Sequence, residues 1–136
     1  MVAQTFKRVA AVVEAQSHAI LAAYLIVLFA ATHYPQAIIH NTGPLEIDKL
    51  VHVVAYAVLG FLIATWRRRG SASPGLTAIL TGVMIAALIG AADEVTQPWF
   101  NRVCDLMDWA ADLIGALIGC AAYVVMRRLG VFTAAQ

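Results

Sequence analysis

Residues 75–126 read GLTAILTGVMIAALIGAADEVTQPWFNRVCDLMDWAADLIGALIGCAAYVVM, two apolar stretches (75–92 and 109–126) joined by a short connection rich in carboxylates. A helix that crosses a bilayer needs about 20 mostly apolar residues, and each stretch comes close to that length. Working outward, residues 50–66 and 18–34 meet the same requirement. Composition agrees: 62% of residues are hydrophobic and only 12% charged, with a mean hydropathy of +0.80. A water-soluble fold of this length does not carry such a balance. The sequence therefore predicts an all-α integral membrane bundle of four transmembrane helices. One domain would span residues 18–128, between an N-terminal segment (1–17) and a C-terminal tail (129–136). Lys7 and Arg8 before the first apolar run raise the alternative of a signal peptide, but the run is longer than a usual signal core. Cys104 and Cys120 fall in different parts of the chain and do not suggest a disulfide framework.

Basic residues of short loops concentrate on the cytoplasmic side of a membrane. Threading four spans places Lys7, Arg8, Arg67, Arg68, Arg69, Arg127 and Arg128 on one side, and only Lys49 and Arg102 on the other. Both termini and the 67–74 loop are then expected in the cytoplasm, in a cell inner (cytoplasmic) membrane. The acidic residues show the reverse: Glu14 alone is inside, while Glu46, Asp48, Asp93, Glu94, Asp105, Asp108 and Asp112 gather at the outer face. Part of this is what correct insertion requires, and Glu46 needs no other explanation. Trp66, Trp99, Phe100 and Trp109 are expected to be interfacial anchors.

The remaining polar residues are harder to assign to topology, because ionisable groups in a span are costly unless paired or facing a wet cavity. Asp48, His52 and Tyr56 follow at i, i+4 and i+8 and share a helix face, with Lys49 beside them. A structural hydrogen bond explains a lone histidine about as well as chemistry does, and Tyr56 is better read as packing. Asp93 and Gln97 share a face, with Glu94 turned about 100° away, before Pro98 stops the helix. Carboxylates at a helix C-terminus oppose its dipole and want a cation from Arg102, His52 or Lys49. Asp105, Asp108 and Asp112 recur at i, i+3 and i+7. The first two suit a helix N-terminus, whereas Asp112 lies more than a turn inside the apolar run. Gly115 and Gly119 continue that stripe, and small residues at spacing four permit close helix approach in a membrane. His18, His33, Tyr34 and His40 belong to no spaced constellation and are read as interfacial or structural, so the first span is expected to contribute little.

In order and spacing, Asp48-Lys49, His52, Tyr56 and Gly60, followed by Asp93-Glu94, Gln97, Arg102, Asp105, Asp108, Gly115 and Gly119, resemble the VanZ-like membrane proteins. The resemblance runs from about residue 35 to residue 120. Asp112 stands where the family usually has asparagine, and Asn101 where a glycine usually precedes the arginine. What the resemblance implies is a bacterial cell-envelope setting, an architecture and a candidate site rather than a reaction.

From these residues the leading expectation is a pocket at the outer face that binds, hydrolyses or transfers an anionic lipid headgroup. Asp48, His52, Asp93 and Glu94 are the acid–base candidates. Lys49, Gln97, Arg102, Asp105, Asp108 and Asp112 are the candidate substrate-binding residues. Arg102 and Lys49 would hold the anion, one of Asp93 and Glu94 would be the base, and His52, oriented by Asp48, would donate a proton. An oxygen-rich cluster with one histidine is compatible with a divalent cation, though the spacing selects no metal. No phosphate loop, zinc histidine pair or nucleophile elbow is present, and nothing points to nucleic acid. The main competitor is a non-enzymatic small subunit of a larger membrane complex, its polar cluster serving to lock helices together. A proton or cation pathway is disfavoured because the cytoplasmic halves lack a matching ionisable chain.

Overall fold

A computed structural model describes residues 2–34, 45–67 and 75–132. The connections 35–44 and 68–74, with His40, Arg68 and Arg69, lie outside the described residues, as do residues 133–136 of the tail and the side chains of Lys7 and Glu46. The elements are α1 (Val2–Ala15), α2 (Ser17–Thr32), α3 (Leu45–Arg67), α4 (Leu76–Thr96) running into a 3-10 turn (Gln97–Phe100), and α5 (Leu106–Arg128). No strand occurs among the described residues.

Ile47–Arg67, Leu76–Phe100 and Leu106–Arg128 are long and apolar enough to cross a membrane. At 1.5 Å per residue, the 23 residues of α3 and of α5 reach about 35 Å, enough for a hydrocarbon core of about 30 Å. The 16 residues of α2 reach only about 24 Å. α1, in the stretch expected as a cytoplasmic N-terminal segment, is helical and meets α2 at a 75° bend, and the two count as a fourth span only if the broken pair is taken together. Ile26, Val54, Leu80, Leu88 and Ile118 are more than half exposed. Such a surface suits acyl chains and not water.

The centre of the bundle is the α3–α5 contact, built on absent side chains. A Cβ on Gly60 would strike the Ala116 carbonyl, one on Gly115 the Val53 carbonyl, and one on Gly119 the Ala57 carbonyl. α4 packs on the other flank of α5, where Gly82 faces Cys120. The Tyr24 hydroxyl donates to the Ala55 carbonyl at 2.8 Å, tying α2 to α3. Below the polar end, Leu28, Tyr56, Leu59, Ile63, Ala86 and Ala116 form one buried cluster. Ala10 of α1 joins Ala64, Cys120, Tyr123, Val124 and Phe132 in a second at the opposite end. The start of α3, the end of α4 and the start of α5 thus share one end of the molecule, while Arg67, Arg127 and Arg128 share the other.

Candidate functional site

The ends of α2 and α4 and the starts of α3 and α5 bring one polar network together. On α3, His52 turns Nδ1 to within 2.9 Å of Asp112 Oδ1 and places Nε2 3.7 Å from Asp108 Oδ2. The carboxylate that orients the ring is therefore Asp112 of α5 and not Asp48. Residues at i and i+4 share a face, but a neighbouring helix reaches the ring tip more directly. One turn back, Lys49 donates to Asp105 Oδ2 at 2.8 Å and to Asp108. Lys49 is thus engaged by two carboxylates, a different position from the anion-holding role expected of it.

Asp105 caps α5, accepting from the Met107 N–H at 2.8 Å, as its first-turn position implied. The Lys49 ammonium, and after it the Met107 N–H, hold its carboxyl below the usual carboxylate range. Its own backbone N–H donates to Glu94 Oε2 at 2.8 Å, which fastens the end of α4 to the start of α5. Gln97 donates to Asp93 Oδ2 (3.3 Å) and Glu94 Oε1 (3.4 Å). None of the three cations expected for these carboxylates supplies this contact.

Asp93 instead takes its partners from α2: Thr32 donates to Oδ1 at 2.7 Å and His33 Nδ1 lies 3.4 Å away. His33 was expected at the interface, outside any constellation. It is buried, lies 2.8 Å from the Thr96 hydroxyl through Nε2, and is stacked on Phe29 at 3.9 Å. The first apolar segment therefore contributes directly to the network. Thr32, His33 and Thr96 were missed because single polar residues at the ends of different spans reveal nothing of their pairing. Trp109 also departs from the anchor role, donating Nε1–H to the Ala87 carbonyl at 3.0 Å, whereas Trp99 is exposed.

Beside the network is a cavity of about 140 Å³ between α2 and α3. Leu28, Ala31, Val51 and Ala55 form its apolar wall; Thr32, Asp48, His52, Tyr56 and Arg102 give its polar end. Four buried atoms in this region have no hydrogen-bond partner among the described residues: Tyr56 Oη, Gln97 Oε1, Arg102 Nε and Asp112 Oδ2. Two sets of residues hold possible metal-ligand atoms within 4.8 Å of one another, Asp48–His52–Asp108 and His52–Glu94–Asp112.

No curated protein and no solved structure matches the chain. The VanZ/LLP1 family model matches residues 2–127. The chain belongs to the VanZ/LLP1 family.

Proposed function

We propose that this protein crosses a cytoplasmic membrane four times, with both termini inside, and binds the anionic headgroup of a cell-envelope lipid in the cavity at its outer face. The observation that carries the reading is Arg102, which lines the cavity with a buried Nε that has no partner among the described residues. A guanidinium offers a planar fork to phosphate oxygens. The apolar wall from α2 and α3 suits the first carbons of an acyl or prenyl chain, while His52, Thr32 and Tyr56 stand where headgroup oxygens would arrive. Size limits the ligand. Ligand pockets for drug-sized molecules run to about 300–1,000 Å³, so a cavity of about 140 Å³ suits a phosphate-sized head and not an entire disaccharide. Catalysis by Asp48, His52, Asp93 or Glu94 is a further step within this reading, and His52 is the group among them that both lines the cavity and holds a carboxylate partner.

A structural lock within a larger complex draws support from the mutual satisfaction of Lys49, Asp105 and Asp108 across helices. Mass spectrometry of the gently purified protein, wild type against Arg102→Ala, separates the two readings. A phosphate-bearing lipid enriched on wild type and lost from a folded Arg102→Ala is the expected result. No lipid enrichment together with a stoichiometric protein partner replaces headgroup binding with the lock.

A further inference from the structure

We propose that His52, Glu94 and Asp112 bind one divalent metal ion where α3, α4 and α5 meet. The site shares His52 with the cavity, while Glu94 and Asp112 lie outside the cavity lining, and metal binding is tested without any lipid ligand. The three residues are all buried, and their ligand atoms lie within 4.8 Å of one another.

Charge gives the first reason. Among the described side chains at this end, six carboxylates (Asp48, Asp93, Glu94, Asp105, Asp108 and Asp112) face Lys49 and Arg102 as the permanent cations. Lys49 is spent on Asp105 and Asp108, so the Asp48–His52–Asp108 set already has its positive charge. Among the described residues no lysine or arginine pairs with Glu94 or Asp112, whose contacts are the Asp105 N–H and Gln97 for Glu94 and His52 for Asp112. Buried carboxylates in a membrane need a counter-charge, and a divalent ion between two carboxylates and a neutral imidazole makes a site of zero net charge.

Unmet valence gives the second reason, independent of the acids' proximity. Asp112 is 1% exposed; Oδ1 meets His52, but Oδ2 has no partner among the described residues. Tyr56, at 0% exposure, also has an unpartnered hydroxyl. The two come together over Gly90: a Cβ placed there would lie 3.0 Å from Asp112 Oδ2 and 3.3 Å from the Tyr56 ring edge. Glu94 follows Gly90 by one turn on the same face of α4. Gln97, wholly buried and bonded to Glu94, leaves Oε1 free as a further oxygen donor. One imidazole nitrogen among carboxylate, amide and phenol oxygens suits Mn²⁺ or Zn²⁺ over the softer metals, and three protein ligands leave positions open for water or a substrate oxygen.

The test uses the full chain in detergent, stripped with chelator and reloaded with Mn²⁺ or with Zn²⁺. One bound ion per chain is expected, with a nitrogen coupling in the pulsed EPR spectrum of the Mn²⁺ form that disappears in His52→Gln. Asp112→Asn and Glu94→Gln should each weaken binding at least tenfold, whereas the exposed Cys104→Ser should bind as wild type. Failure of both metals to bind wild type stoichiometrically overturns the proposal, as does unchanged affinity in the folded Asp112 and Glu94 variants. Where those variants do not fold, the wild-type spectrum decides: bound Mn²⁺ without nitrogen coupling excludes His52 and the site with it.

Discussion

His33 and Tyr34 are chain neighbours with opposite surroundings, and the contrast makes a direct test of the network. The His33 ring is buried between Phe29 and Phe100 and meets Thr96 and Asp93; Tyr34 is 47% exposed. One lost hydrogen bond contributes about 1 kcal/mol, and the buried ring adds its packing. His33→Ala should therefore lower stability by about 2 kcal/mol, while Tyr34→Ala changes it by less than about 0.5, as read from unfolding in mixed detergent micelles. Asp105 gives a pH test outside the spans. Lys49 and the Met107 N–H lower its folded pKa, so its contribution to stability is complete above the ordinary carboxylate pKa of about 3.9 and fades as pH falls through the lowered value. The melting difference between wild type and Asp105→Asn should be constant near neutral pH and shrink only in strong acid; a difference that vanishes between pH 5 and 7 would show that another group is responsible. At this scale the sequence reveals helix faces but not facing partners. Spacing put His52 with Asp48, yet the ring reaches Asp112, because the partner is set by how α3 crosses α5.

Each helix carries its position in a few small residues. Gly115 and Gly119 were legible as a packing stripe because spacing four is a property of one helix. Their partners, the Val53 and Ala57 carbonyls, were not, since any backbone can receive a glycine face. In Gly119→Ala the new methyl would meet the Ala57 carbonyl, and backbone cannot rotate away as a side chain can. A cost of about 1–3 kcal/mol is expected. Gly75→Ala, at the N-cap of α4 where a Cβ meets nothing within 4 Å, should cost less than about 1 kcal/mol; since alanine is the better helix former, a loss at Gly119 reports the close α3–α5 approach, and no loss there would overturn it. α1 escaped the sequence reading because Lys7 and Arg8 were fully accounted for as a topology signal. The break at Gln16, with φ −105° and ψ 14°, turns α1 by 75° from α2. Val9 and Val12, both more than half exposed, give α1 an apolar surface left exposed by the bundle.

The whole molecule is polarised: carboxylates, Lys49 and Arg102 occupy one end, and Arg67, Arg127 and Arg128 the other. The bundle alone does not say which end faces the cytoplasm, since its internal contacts are the same in either orientation. The arginine distribution supplies the expectation that the Arg67, Arg127 and Arg128 end is cytoplasmic, because basic loops resist translocation, and the headgroup proposal depends on that orientation. The chain carries its own reporter. Cys104 is exposed in the connection between α4 and α5, while Cys120 is buried, wholly enclosed with its thiol donating to the Gly60 carbonyl at 3.3 Å. A membrane-impermeant maleimide applied to intact spheroplasts should label wild type at Cys104 without permeabilisation, and labelling should vanish in Cys104→Ser although Cys120 remains. Cys104→Ser carrying a new cysteine in place of Gly130, beyond the Arg127–Arg128 end of α5, should react only once the membrane is opened. The reversed pattern would put the cavity and Arg102 on the cytoplasmic side, where an outer-leaflet headgroup cannot reach them.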